Sequence, residues 1–136
     1  MSAGDTFFDT SVLFYLLSND VRKADRVEAL LAHRGILSVQ VLNEFTVVAL
    51  RKAGLPLLEI REILDTVRSV CTVEPLTATT HDRGMEICER YKFSFYDSVI
   101  VAAALIVGAK VLYSEYLQHG QVIDRRLRIV NPFLAR

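Results

Sequence analysis

Three acidic residues occupy places where solvation alone does not explain a carboxylate. Asp9 directly follows Thr6-Phe7-Phe8 and precedes Thr10 and Ser11. Glu44 has Val41, Val47 and Val48 three and four places away, so on a helix its carboxylate shares an apolar face. Asp97 has the same difficulty, because Val101 and Ala104 lie on its face. A carboxylate on such a face is costly unless a cation or hydrogen-bond donors compensate it. Carboxylates brought together also repel and raise one another's pKa values, and a bound Mg²⁺ or Mn²⁺ reverses that cost. Mg²⁺ accepts carboxylate and water oxygens, so three protein acids suffice for one site. The chemistry implied is phosphodiester hydrolysis, in which the ion polarises a phosphoryl oxygen and makes bound water nucleophilic. Thr10, Ser11, Ser98 and Ser114 are hydroxyls able to hold ligands, waters or phosphates around such a site, and Glu115 stands beside the last of them.

Each acid also has a plainer use. Asp9 can cap the segment after it, and Asp97 can favour a helix dipole. Glu44 can pair with Arg51 or Arg83, and Glu115 taken alone reads as a solvated loop acid. His33, His81 and His119 have no ligand spacing among themselves and read as surface or packing residues. Arg125, Arg126 and Arg128 either guide a phosphate backbone or form the solvated edge of a strand, and the second reading is preferred.

The elements that must position these residues follow from periodicity and punctuation. Thr6–Phe8 reads as a strand ending into a helix through the cap-type residues Asp9, Thr10 and Ser11. Val12–Leu17 is apolar, and Ser18-Asn19-Asp20 punctuates it. A helix from about Val21, with Ala24, Val27 and Leu31 on one face, ends at Gly35. Ile36-Leu37 is a second short strand, and Ser38 caps a helix over about Val39 to Ala53 that stops at Gly54. Leu55-Pro56 opens another helix, with Ile60, Ile63, Leu64 and Val67 at helical spacing. Cys71–Val73 is a strand closed by Pro75. A helix from about Thr79 carries Gly84, Ile87, Cys88 and Tyr91 on one face. A helix over Tyr96–Val107 is apolar nearly all round and therefore buried. Val111–Tyr113 and Leu127–Val130 are the last strands. Short apolar strands separated by helices indicate an α/β/α sandwich of three layers around a parallel sheet. In such a sheet ligands bind beyond the carboxyl ends of the strands, where Asp9 and Ser114 fall.

The chain has 136 residues, the length of one domain, here taken as residues 1–136. About half its residues are apolar (51%), which excludes a disordered chain. Acidic and basic residues number 16 each, so no global field announces a nucleic-acid partner, although a local basic rim or a bound metal can supply positive charge. Cys71 and Cys88 lack the spacing of a zinc site and read as free thiols in a reducing compartment, with Cys88 in the core. The N-terminus lacks the regions of a signal peptide, and the apolar run Val99–Ala109 is too short to span a bilayer, so a cytoplasmic protein is expected.

The segments around the three acids carry a family resemblance. Phe7-Phe8-Asp9-Thr10-Ser11-Val12-Leu13, Val41-Leu42-Asn43-Glu44-Phe45 and Phe95-Tyr96-Asp97-Ser98-Val99-Ile100-Val101-Ala102-Ala103-Ala104 resemble, in order and spacing, the blocks of PIN-domain ribonucleases. Leu112-Tyr113-Ser114-Glu115-Tyr116-Leu117-Gln118-His119-Gly120 resembles a fourth block. The nearest likeness is to small toxins of the VapC type. That resemblance implies a Mg²⁺- or Mn²⁺-dependent RNA endonuclease, a homodimer, and a cognate antitoxin that blocks the active site. It also implies that Asp9, Glu44 and Asp97 bind the metal, with Thr10, Ser114 and Glu115 as auxiliary residues.

One position departs from the pattern. Where the fourth block usually has an aspartate, this chain has Tyr116. A phenol with a pKa of about 10 is a poor Mg²⁺ ligand at neutral pH. Glu115 is adjacent but points elsewhere in a fixed backbone. The expectation is a surviving fold and first metal site with weakened catalysis. A catalytically silent module that binds RNA or an antitoxin is the alternative. A haloacid-dehalogenase-like phosphatase would want a second aspartate where Ser11 stands, and a receiver domain finds only poor matches in Asp5 and Lys110. The helices over Val21–Leu31 and Leu57–Val70 have apolar faces for another copy or an antitoxin, although covering the sheet is their simpler use.

Overall fold

The computed structural model describes residues 2–134. Its six strands are β1 (Thr6–Phe8), β2 (Gly35–Ser38), β3 (Cys71–Glu74), β4 (Val111–Tyr113), β5 (Val122–Ile123) and β6 (Leu127–Val130). They form one sheet in the order β3-β2-β1-β4-β6-β5. All neighbours pair in parallel except β5 and β6, which are antiparallel at the edge. The helices are α1 (Thr10–Leu13), α2 (Val21–Ala32), α3 (Val39–Arg51), α4 (Leu57–Val70), α5 (Ala78–Tyr91) and α6 (Phe95–Val107). The expected α/β architecture with helices flanking a mostly parallel sheet is what is found.

The sequence explains these elements locally. Every residue of β1 is buried, as a central parallel strand requires. Asp20, Ser38, Thr77 and Ser94 cap α2, α3, α5 and α6, each accepting a backbone N–H from the first turn. Helix α6 buries Ser98 through Leu105 and ends at Gly108, whose φ of 79° suits glycine. Gly84 lets α5 approach α6, since a Cβ there would stand 3.0 Å from Val99 Cγ2 and 3.3 Å from its Cα. The fully buried side chains of Phe7, Phe8, Leu37, Phe45, Ile100 and Leu112 anchor the core against the sheet.

The structure departs from the sequence reading in two places, at Gly35 and at β5. Gly35 does not end α2. Arg34 takes the left-handed conformation there, with φ of 66°, and Gly35 opens β2. Its missing side chain makes room for Phe8, whose Cε2 would lie 2.5 Å from a Cβ. The helix expected after Asp9 is present as α1, followed by a 3₁₀ turn over Phe14–Leu17. Strand β5 was not anticipated, because two residues carry no periodicity. No helix among the described residues is long and apolar enough to cross a membrane. Cys71 is buried and Cys88 half-buried, and both are free. Burial pushes the Cys71 thiol up to about 11.

Candidate active site

The chain changes direction across the sheet between β1 and β4, because β2 and β3 lie on one side of β1 while β4, β6 and β5 lie on the other. The crevice beyond the carboxyl ends of β1 and β4 is therefore the topological switch point, where open α/β sheets bind ligands. Asp9 stands at the end of β1, and its backbone N–H donates to the Tyr113 carbonyl at 3.0 Å, extending the pairing with β4. Ser114 stands at the end of β4 and is held in turn by its N–H to the Val130 carbonyl.

Asp9 sits at the N-cap of α1, yet its side chain caps nothing. Its Oδ2 accepts from Ser11 Oγ at 2.6 Å and from Ser114 Oγ at 2.9 Å. The carboxyl is buried, and burial is the main cause that pushes its pKa up to about 6. The two serine bonds oppose that rise, and the charges of Asp97 and Glu44 add to it. Glu44 and Asp97, 35 and 88 positions from Asp9 along the chain, thus both lie within electrostatic reach of it.

Glu44 does not pair with Arg51 or Arg83. Its Oε1 accepts from Thr10 Oγ1 at 2.9 Å, and its Oε2 accepts from Gln40 Nε2 at 2.9 Å. Arg83 instead reaches Asp124 and Glu86. Thr10 therefore ties the segment after β1 to helix α3. Asp97 lies in the first turn of α6, and its N–H donates to Ser94 Oγ. Ser98 turns its hydroxyl back to the Ser94 carbonyl at 2.8 Å, a bond within its own helix. Arg125 and Arg126 precede β6, which places them at the end of the sheet opposite Asp9.

Glu115 is not a solvated loop acid. Its side chain is 16% exposed and accepts from Lys23 Nζ at 2.7 Å and from Tyr15 at 2.6 Å. Lys23 also lies 4.7 Å from the Tyr15 ring centre and 5.1 Å from that of Phe133. The backbone N–H of Glu115 donates to Ser11 Oγ at 3.1 Å, so this knot and the Asp9 cluster share one hydroxyl. The glutamate raises the pKa of the lysine through a hydrogen bond and charge. Tyr116 is 75% exposed and supplies no acid at the fourth position.

Three participants escaped the sequence reading. Gln40 was within reach of it, since it precedes Glu44 by one helical turn. Lys23 and Tyr15 were not, because 92 and 100 positions separate them from Glu115.

The donor chemistry of the cluster suits a hard divalent cation. It consists of carboxylates and hydroxyls, and the strongest charges acting on the buried Asp9 are both negative. Among the described residues, no three acidic, histidine or cysteine side chains are gathered tightly enough to hold an ion as they stand.

The sequence profile of the PIN domain matches residues 6–115, from β1 to Glu115. The chain belongs to the PIN domain family. Solved structures share this PIN fold over most of their length. The Mycobacterium tuberculosis toxin VapC20, described as cleaving the sarcin-ricin loop, matches with a TM-score of 0.67 and 24% identity, over 82% of this chain and 89% of its own. A toxin–antitoxin complex from Klebsiella pneumoniae matches with a TM-score of 0.70 and 19% identity, over 95% and 98%. VapBC2 of Rickettsia felis, bound to a DNA fragment from its promoter, matches with a TM-score of 0.63 and 17% identity, over 93% and 98%. No curated protein matches the chain by sequence.

Proposed function

We propose that this PIN domain is a metal-dependent endoribonuclease, the toxin of a toxin–antitoxin pair, acting on RNA in the cytoplasm. The observation that carries the reading is the buried Asp9, bonded to Ser11 and Ser114 and pressed by the charges of Asp97 and Glu44 at the switch point of the sheet. The structural relatives named as toxins support it.

Asp9, Glu44 and Asp97 would hold Mg²⁺ or Mn²⁺. A bound divalent ion supplies Lewis acidity to the phosphodiester and a water acidic enough to attack near neutral pH. The chain's own residues organise the site. Ser11 and Ser114 keep Asp9 oriented and favour its ionised form. Thr10 and Gln40 hold Glu44 toward β1. The Lys23–Glu115 pair fixes the loop that carries Ser114. Tyr116 supplies a phenol where the family pattern has a carboxylate, and we infer that turnover is weakened for that reason.

The antitoxin and a second copy of the chain complete the proposal. An apolar groove between α2 and α4, lined by Leu16, Leu31, Ile63, Val67 and Val70, suits a partner segment. Leu57 and Leu58 at the start of α4 are 60% and 68% exposed and suit a homodimer contact. A second reading, a silent module that binds RNA or antitoxin without cleaving, is favoured by Tyr116 alone.

The deciding experiment is RNA cleavage with Mg²⁺ or Mn²⁺, beside EDTA, Asp9→Asn and Tyr116→Asp. Cleavage by the native chain that both EDTA and Asp9→Asn abolish establishes the nuclease. Cleavage by Tyr116→Asp alone marks a nuclease disabled at its fourth acid, and cleavage by neither favours the silent module.

A further inference from the structure

Asp9 relies on two serine donors, and the support of each leads to the C-terminal segment of the chain. The Ser114 N–H is held by the carbonyl of Val130, the last residue of β6, at 3.0 Å. Ser11 Oγ receives the Glu115 N–H at 3.1 Å, and the Glu115 side chain is held in turn by Tyr15 and Lys23.

Past β6 the chain is fastened along its length. The Asn131 N–H donates to His119 Nδ1, and the Phe133 N–H donates to Asn131 Oδ1, each at 3.0 Å. The buried Pro132 offers its carbonyl to Arg26 Nε on α2 at 3.1 Å. The Phe133 ring meets that of Tyr15 edge-on, with centres 4.8 Å apart, and lies 5.1 Å from Lys23 Nζ. Lys23 is thereby enclosed. It donates to Glu115 at 2.7 Å and to Tyr15 at 3.0 Å, and Phe133 covers it. An aromatic face attracts an ammonium, and excluding water strengthens the ion pair beneath it.

The plain use of Phe133 is to pin the end of the chain. Its contacts carry further than that, because the residues it touches lead by hydrogen bonds to Asp9. We propose that Phe133 is a positioning residue for the Asp9 cluster. Its ring holds Lys23 on Glu115, that pair fixes the Ser114–Glu115 peptide, and the N–H of this peptide holds Ser11 against Asp9. Residues beyond the matched profile, which ends at Glu115, thus set the geometry of the site. The consequence for ion binding rests on the nuclease reading, whereas the effect on the Glu115 N–H does not.

The test compares Phe133→Ala, Phe133→Tyr and Leu134→Ala in the full chain, with the 51% exposed Leu134 as the control. Hydrogen exchange of the Glu115 amide in EDTA reads the link, and calorimetry with Mn²⁺ reads its consequence. Phe133→Ala should lose protection at Glu115 while the amides of β1 and β4 keep theirs. It should also weaken Mn²⁺ binding roughly tenfold, the low end of what outer partners of a metal site cost. Phe133→Tyr and Leu134→Ala should match the native chain in both. In a Lys23→Met background, Phe133→Ala should add nothing, because its effect passes through Lys23. Phe133→Leu, which keeps apolar bulk, carries the same test if the alanine variant does not fold. Native protection at Glu115 in the variant overturns the inference. Equal loss across β1, β4 and Glu115 also overturns it, since the ring would then only stabilise the fold. So does lost protection with native Mn²⁺ affinity. A native chain that binds no Mn²⁺ overturns the metal reading alone, and the Glu115 amide then decides the role of Phe133.

Discussion

Ser114 donates its hydroxyl to Asp9 at 2.9 Å, across 105 positions of chain, and the bond joins the ends of β1 and β4. The same oxygen accepts the Leu117 N–H at 3.2 Å and is fully buried. Ser114→Ala removes one of two bonds that favour the ionised form of Asp9. We expect its carboxyl to titrate above the native value of about 6. Losing a bond to a charged group costs on the order of 1.5–3 kcal/mol. Carboxyl NMR titration of the metal-free protein measures this, and an unshifted midpoint would remove Ser114 from the site.

Asp9 also makes stability depend on pH in a defined direction. Its folded pKa, about 6, lies above the ordinary value of 3.8, so between these the folded chain holds a proton that the unfolded chain releases. Stability falls as pH rises through this window, and above about 6 ionised Asp9 costs the metal-free fold on the order of 3 kcal/mol. In EDTA, Asp9→Asn should therefore be more stable than the native chain near neutral pH and lose that advantage below 3.8. Mn²⁺ should restore the native chain and leave the variant unaffected. Urea denaturation across pH reads both, and a variant less stable at neutral pH contradicts the assignment.

Gly35 on β2 packs directly against the Phe8 ring of the neighbouring strand β1. An added methyl would meet the Phe8 ring at 2.5 Å and Thr6 Oγ1 at 3.1 Å. Phe8 is fully buried and precedes Asp9. Gly35→Ala should destabilise by about 1–3 kcal/mol, as overpacking does. Its displacement of Phe8 should also lower Mn²⁺ affinity, which calorimetry measures. Unchanged urea midpoint and affinity would show that the ring gives way without consequence.

How much of this was readable in advance depends on the distance over which each interaction acts. The alternation of short apolar strands with helices was legible because each element carries its own period and cap, as Ser38 does for α3 and Ser94 for α6. Glu44 and Asp97 stood out because each carboxylate interrupts an apolar helical face, and Asp9 because it directly follows the first strand. Their mutual arrangement was not legible, since it depends on the strand order. Gly35 was misread because a glycine after a helix ordinarily ends it, whereas here the demand came from Phe8 on a neighbouring strand. Glu115 looked solvated because Lys23 and Tyr15 arrive from remote sequence. Strand β5 is defined by its pairing with β6, which two residues cannot announce.

The β5–β6 connection yields a last prediction with opposite signs at adjacent positions. Arg126 N–H closes a turn onto the Ile123 carbonyl at 3.0 Å, with Asp124 and Arg125 at φ of 48° and 61°. Two positive φ values are the pattern of a type I′ turn, which favours asparagine or aspartate followed by glycine. Asp124 is held there by more than the turn. Its carboxylate bonds Arg83, Arg90 and Tyr91 on α5, and its N–H donates to the Tyr91 hydroxyl at 2.8 Å. Burial raises its pKa, but Tyr91, Arg90 and Arg83 outweigh burial and hold it below the usual range. Its contribution is therefore present above the unfolded pKa and lost as pH falls through the folded one. Asp124→Ala should cost about 2 kcal/mol near neutral pH, as losing charge-assisted bonds does. Arg125→Gly should instead stabilise by about 1 kcal/mol by relieving the left-handed conformation. Urea denaturation of both variants decides it, and equal signs would show that the turn is not what fixes β5 against α5.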